Sequence, residues 1–96
     1  MPKVTIAIPT YNRQEYLKEC LGSILHQTFQ DFQVIVFDNH SDFDMGQFLA
    51  KFNDQRISLI RAEKNFGGSN NFIKIFLHKF NTPYLVVFHD GDVMHP

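Results

Sequence analysis

Residues 4–37 read VTIAIPTYNRQEYLKECLGSILHQTFQDFQVIVF, and the fold follows from how the period of this stretch changes. Val4, Thr5, Ile6, Ala7 and Ile8 are largely β-branched and almost continuously apolar, the pattern of a parallel strand covered on both faces. Pro9 is expected to end that strand. From Gln14 the spacing becomes helical: Leu17, Cys20, Leu21, Ile24 and Leu25 recur on one side, while Glu15, Lys18 and Glu19 take other faces. An amphipathic helix is therefore expected over 14 to about 27, with Asn12 as its N-cap. Residues 32–37 return to a buried strand. Strand, helix and strand joined by short polar loops make a βαβ unit, which implies parallel pairing and a right-handed crossover.

The alternation continues outward from this unit. A polar loop, Asp38-Asn39-His40-Ser41-Asp42, leads into a short helix over about 45–52, and residues 56–61 make a third strand around Ile57, Leu59 and Ile60. Asn65-Phe66-Gly67-Gly68-Ser69 then opens a second amphipathic pattern in Phe72, Ile73, Phe76, Leu77 and Phe80. Asn81-Thr82-Pro83 breaks that helix, because proline cannot continue it. Residues 84–88 close the series as an apolar strand. The expected fold class is α/β: a Rossmann-like, three-layer αβα arrangement around a mainly parallel sheet, in a single domain over 1–96. The polar loops after the first, second and fourth strands then meet at one edge.

Composition excludes several classes. Ninety-six residues with 44% hydrophobic content and 11 Phe suffice for a real core, so disorder is excluded. A formal net charge of -1 gives no whole-molecule attraction to nucleic acid or to an anionic membrane. An anionic ligand must be held locally. The single cysteine, Cys20, cannot form an internal disulfide; it reads as a buried structural thiol and fits a reducing, cytoplasmic setting. The apolar run 4–9 is too short for a membrane span and has no small-residue cleavage site after it.

Chemistry concentrates at strand ends: Thr10-Tyr11-Asn12-Arg13, then residues 38–42, then His89-Asp90-Gly91-Asp92. Asp90 and Asp92 follow an apolar strand directly, at the carboxyl edge where open α/β sheets bind ligands. Two carboxylates there suit a hard divalent cation, Mn2+ or Mg2+; the competing reading is a polar turn, since Asp and Gly are common turn residues. A nucleotide needs a flat surface for its base, polar partners for base edge and ribose, and compensation for its phosphates. Tyr11, Asp38 and a cation on Asp90 and Asp92 would supply these in turn. No P-loop and no GxGxxG fingerprint is present to hold a pyrophosphate without metal. Gly67 and Gly68 read as a tight turn at a helix start, whose terminus also favours an anion. His89 and His95 lie near the carboxylates, yet strand alternation points His89 away from Asp90; His26, His40 and His78, and Lys64, Lys74 and Lys79, read as surface or packing residues.

With these segments in order, the chain resembles the family 2 glycosyltransferases of GT-A fold over almost its whole length. VTIAIPTYNR is similar to the family's first strand and nucleotide-binding turn, LGSILHQTFQDFQVIVFDNHSD to the next helix, strand and acidic loop, EKNFGG to its Asn-x-Gly segment, and YLVVFHDGDVMHP to its metal-binding DxD region. The resemblance implies the N-terminal, nucleotide-sugar-binding half of a GT-A fold. Thr10 and Tyr11 would lie against the nucleobase, Asp38 would contact base or ribose with Asn39 beside it, and Asp90 and Asp92 would serve ribose, metal and diphosphate, Asp92 as the direct metal ligand. Two departures stand out. Asn39 replaces the second of two adjacent aspartates, keeping a hydrogen bond but not a charge; Phe72 and Ile73 stand where the family often has Arg-Asn, and Phe72 reads as core.

The resemblance further implies metal-dependent transfer of a sugar from a nucleotide diphosphate donor to an acceptor saccharide or other hydroxyl, with inversion. The general base is expected beyond Pro96, so the 96 residues alone are expected to be inactive. An apolar last strand left as an edge is expected to self-associate. Two other classes share the pattern: a non-catalytic nucleotide-fold binding or assembly module, and another metal-dependent phosphate enzyme. Against the latter, the acidic pair follows the last strand rather than the first, and the first turn lacks a Gly-rich phosphate-binding segment.

Overall fold

The computed structural model describes residues 2–89, which form in chain order β1 (Val4–Thr10), α1 (Gln14–Leu25), β2 (Phe32–Asp38), α2 (Met45–Ala50), β3 (Ile57–Arg61), α3 (Gly68–Leu77) and β4 (Tyr84–Val87). Asp90, Asp92 and His95, to which the sequence assigns or weighs metal roles, lie outside the described residues. The four strands pair in the order β3-β2-β1-β4, every neighbour parallel. All carboxyl ends therefore share one edge. The order grows outward from β1 through β2 to β3, then returns to β1's other side for β4, so a topological switch point falls between β1 and β4.

Because side chains alternate across a strand, each strand divides its residues between two faces. Ile6 and Ile8 of β1 and Phe32, Val34 and Val36 of β2 join Leu17, Cys20, Leu21 and Ile24 of α1 and Met45, Phe48 and Leu49 of α2 in one buried cluster. The other face is thinner: Ala7, Ile35 and Phe37 pack against Ile75 of α3, with Phe80 and Val87 at its margin. Helices on both faces of a parallel sheet give the three-layer αβα architecture expected from the sequence.

Three local expectations are corrected. Pro9 does not end β1; the strand runs to Thr10, and Pro9 pairs in register with Phe37. The Ala7 carbonyl accepts Phe88 N–H on the β4 side and the Thr10 carbonyl accepts Asn39 N–H on the β2 side, so by alternation Pro9 faces past the end of β4, where no ladder bond needs its missing N–H. Asn12 is not the N-cap of α1; Arg13 holds that position without a side-chain cap bond, while Asn12 adopts φ 51°. Helix α2 ends at Ala50 rather than near 52, its start fixed by Asp44, whose carboxylate accepts Gln47 N–H at 3.0 Å.

Candidate nucleotide-sugar site at the switch point

The loop after β1 is tied to the loop after β2 by Asn12. Its backbone N–H donates to Ser41 Oγ (2.9 Å), its side-chain amide donates to Asp42 (2.9 Å), and its side-chain oxygen accepts Asp42 N–H (2.7 Å). A left-handed backbone is tolerated by Asn better than by most residues, and here it turns the side chain across to the neighbouring loop. The function of Asn12 is thus to lock two strand ends together.

Asp38 ends β2, fully buried, in register with Thr10. Its Oδ1 accepts the Ser41 N–H (3.0 Å) and hydroxyl (2.6 Å). Oδ2 lies 3.5 Å from Arg61 Nε and has no hydrogen bond among the described residues. Arg61 also donates to the Ser41 carbonyl at 2.7 Å, bracing the same loop. A buried carboxylate oxygen with an ion-pair neighbour but no hydrogen-bond donor retains acceptor capacity.

Asn39, also buried, reaches the other way. Its amide donates to Asn65 Oδ1 (2.8 Å) and its oxygen accepts Phe66 N–H (3.0 Å), while Asn65 Oδ1 also accepts Gly67 N–H (2.7 Å). This clip fixes the turn into α3, where Gly67 takes φ 90°, a conformation that glycine adopts without strain. One turn on, the buried Asn71 donates to the Phe37 carbonyl at 3.0 Å, anchoring α3 to the end of β2.

These ties border a cleft of about 540 Å³ at the carboxyl edge, lined by Pro9 and Thr10 at the end of β1, Tyr11 and Arg13 after it, Asn39 after β2, the start of α3 and His89 after β4. It straddles the β1/β4 switch point. A second hollow of about 570 Å³, lined by Gln30, Asp31 and Arg56 among others, lies at the amino ends of β2 and β3, the wrong edge for a ligand of this fold. Of the sequence-nominated residues, Thr10, Tyr11 and Asn39 meet in the cleft; Asp38 sits beneath its rim, sealed from its surface. Among the described residues no group of three or more His, Cys, Asp or Glu side chains comes together to hold a metal, and no helix is long and apolar enough to cross a membrane.

Two contributors escaped the sequence reading. Phe72 lines the cleft half-buried rather than lying in the core, and its ring stacks on His89 at 6.2 Å between centroids with 7° between planes. Cys20 is a buried thiol as expected, but it also reaches the end of β4, its Sγ 3.7 Å from the His89 carbonyl. Helical spacing gives no signal for either contact.

The profile of glycosyl transferase family 2 matches residues 5–96. The chain belongs to this family. Among its relatives, a GalNAc(5)-diNAcBac-PP-undecaprenol β-1,3-glucosyltransferase of Campylobacter jejuni is 29% identical over 94 residues, covering 96% of this chain and 30% of the relative. The structure of Staphylococcus aureus TarS residues 1–349 superposes with a TM-score of 0.82 at 26% identity, over 95% of this chain and 28% of that one. A Pyrobaculum calidifontis mannosyltransferase, solved with GDP-mannose and Mn2+, shares the fold at a TM-score of 0.72 and 21% identity, over 94% of this chain and 28% of that one. The family 2 chain spans about a third or less of the curated relatives it matches, and its architecture is that of GT-A glycosyltransferases.

Proposed function

We propose that this chain is the donor-binding portion of a glycosyltransferase and holds a nucleotide diphosphate sugar across the β1/β4 switch point. The observation that carries the reading is the convergence of Thr10, Tyr11 and Asn39 with the start of α3 in one cleft at the carboxyl edge of an all-parallel sheet. In this reading Thr10 and Tyr11 lie against the nucleobase, Asn39 borders it, and Asp38, sealed beneath the rim, would contact base or ribose through Oδ2 only once the loop above it shifts. The N–H groups that open α3, preceded by Gly67, favour a negatively charged group. Asp90 and Asp92, outside the described residues, would hold Mn2+ or Mg2+ as hard oxygen donors, with Asp90 also near the ribose. When bound, the ion offsets charge on the departing diphosphate.

Transfer to an acceptor saccharide or other hydroxyl proceeds, on this proposal, with inversion, and needs a general base that none of the assigned residues supplies. The 96 residues by themselves are therefore proposed to bind donor without turning it over, in a cytoplasmic setting. They are also proposed to self-associate through β4, because Tyr84, Leu85 and Val86 are exposed on what is, among the described residues, an edge strand.

Calorimetric titration with nucleoside diphosphates, with and without Mn2+, tests the donor site. Metal-dependent binding that Asp92→Ala abolishes is expected. Binding indifferent to metal would instead favour a non-catalytic nucleotide-fold module, and no binding by folded protein would remove the donor-site reading. Light scattering tests self-association: Leu85→Lys should shift the chain toward monomer, and a parent that is already monomeric at high concentration contradicts the proposal.

A further inference from the structure

We propose that Phe72 and His89 form a stacking wall for the nucleobase, so that α3 contributes an aromatic surface to donor recognition where the family often has a cationic side chain. The inference rests on the donor-site reading above and adds to it a base-stacking residue, Phe72. Three observations carry it. The two rings are parallel within 7° and offset at 6.2 Å, within the range of offset aromatic stacking, and both line the switch-point cleft. Phe76 meets Phe72 edge-on at 5.2 Å and 68°, buttressing the ring from the side. The cleft-lining residues of α3 are Gly68, Ser69, Asn71, Phe72 and Ile73, and the amide of Asn71 already donates to the Phe37 carbonyl.

Chemistry then narrows the ligand group. The flat hydrocarbon face of Phe72 favours a planar heterocycle, whereas the charge of a diphosphate calls for cations or N–H donors, which Arg13 and the start of α3 bring to the same cleft. Tyr11, 38% exposed, lines the same cleft from the β1 loop, so aromatic groups from three separate segments line the space proposed for the donor. Bases stack on aromatic side chains with little regard to their edges, since every base has a π-face. The wall therefore reads the presence of a base rather than its hydrogen-bonding pattern.

The test compares the parent chain with Phe72→Ala, Phe72→Leu and Phe72→Trp, using uridine and guanosine diphosphates with Mn2+ and, separately, inorganic pyrophosphate with Mn2+. Loss of one base stack should weaken both nucleotides about 5- to 150-fold in Phe72→Ala and leave pyrophosphate binding unchanged. Phe72→Leu keeps an apolar side chain of similar bulk without a π-face and should show the same loss, which separates stacking from folding should the alanine variant unfold. The parent chain contains no tryptophan, so Phe72→Trp installs a single reporter whose fluorescence should be quenched by either nucleotide and not by pyrophosphate. Unchanged nucleotide affinity in the leucine variant, an equal loss for pyrophosphate, or no quenching while the nucleotide binds would overturn the proposal and leave the donor site standing. Failure of the parent chain to bind any nucleoside diphosphate would remove both.

Discussion

The two faces of the sheet are built to different standards. On the α1/α2 face, Ile8, Leu17, Cys20, Leu21, Ile24, Val34, Val36 and Met45 are all fully buried, and two helices cover three strands. On the α3 face four buried residues suffice for a cluster, while Phe76 and Leu77 on the helix remain 60% and 76% exposed and Tyr84 on the edge strand 65%. The buried Thr5 shows the same contrast from within: its hydroxyl is occupied by Thr82 (2.6 Å) and Gln33 (2.8 Å) in a polar network rather than in apolar packing. Stability thus resides on one face, and the proposed recognition elements gather where the other face meets β4.

The largest effects should fall on the closed face. Leu21→Ala removes a fully buried side chain from the α1 seam and should cost about 2–5 kcal/mol, a large part of the ~5–15 kcal/mol by which a domain is stable. Chemical denaturation measures it. Leu77→Ser, at the exposed end of α3, should change stability by no more than about 0.5 kcal/mol. Comparable losses for the two would break the contrast between the faces.

Ile75 decides whether α3 is a separate unit. It is the one fully buried apolar side chain that α3 contributes, helped by the Asn71 bond to β2. Ile75→Ala should cost about 2–4 kcal/mol, less than the worst case on the closed face. Hydrogen exchange should show the loss concentrated in the amides of α3, through local opening, with α1 still protected. Uniform acceleration across α1 and α3 would mean that the two faces unfold as one.

What the sequence made legible follows the same division. β1, α1 and β2 are packed on by apolar neighbours along their length, so their periods are unbroken and their positions could be read directly. At the cleft, the strand-end residues Thr10, Tyr11 and Asn39 were legible from their place in the βαβ order and the turn at Gly67 from its local chemistry. The sequence marks Asn12 as a helix cap and Asn39 as a nucleotide-site residue and gives Asn71 no role; the ties these three make are invisible to it, because their partners lie 26 to 34 residues away and no spacing rule links them. Phe72 was misread for a related reason: helical periodicity marks an apolar stripe but does not distinguish a core-facing position from one that lines a cleft.

The Asn39 clip can be tested by restoring the residue that the family often carries. Asp at this position still accepts Phe66 N–H but has no hydrogen to donate to Asn65 Oδ1, so two acceptors would face each other at 2.8 Å. Asn39→Asp should cost about 1–2 kcal/mol and loosen the turn into α3. Adding Asn65→Ala removes the opposed acceptor, so the cost of the pair should fall below the sum of the singles. Strict additivity would mean that Asn39 and Asn65 do not act as a matched pair.

The smallest effect belongs to the far end of the sheet. Arg56 lies over the Phe32 ring at 4.4 Å, donates to Gln30, and pairs with Asp54 at 2.7 Å, both side chains partly exposed. The hydrogen bond from Arg56 holds the Asp54 carboxyl below its usual range, against a smaller opposing effect of burial. A carboxyl with a lower pKa in the folded state stabilises it above the unfolded pKa, near 4, and the contribution disappears as pH falls through the lower folded value. Asp54→Asn keeps an oxygen for the Arg56 backbone N–H, now accepted at 3.0 Å, while removing the charge. The parent should therefore exceed the variant by under about 1 kcal/mol near neutrality, and the gap should close on acidification below pH ~4 and shrink in high salt. A gap that persists at low pH would assign the stabilisation to the turn geometry at Asp54 rather than to the ion pair.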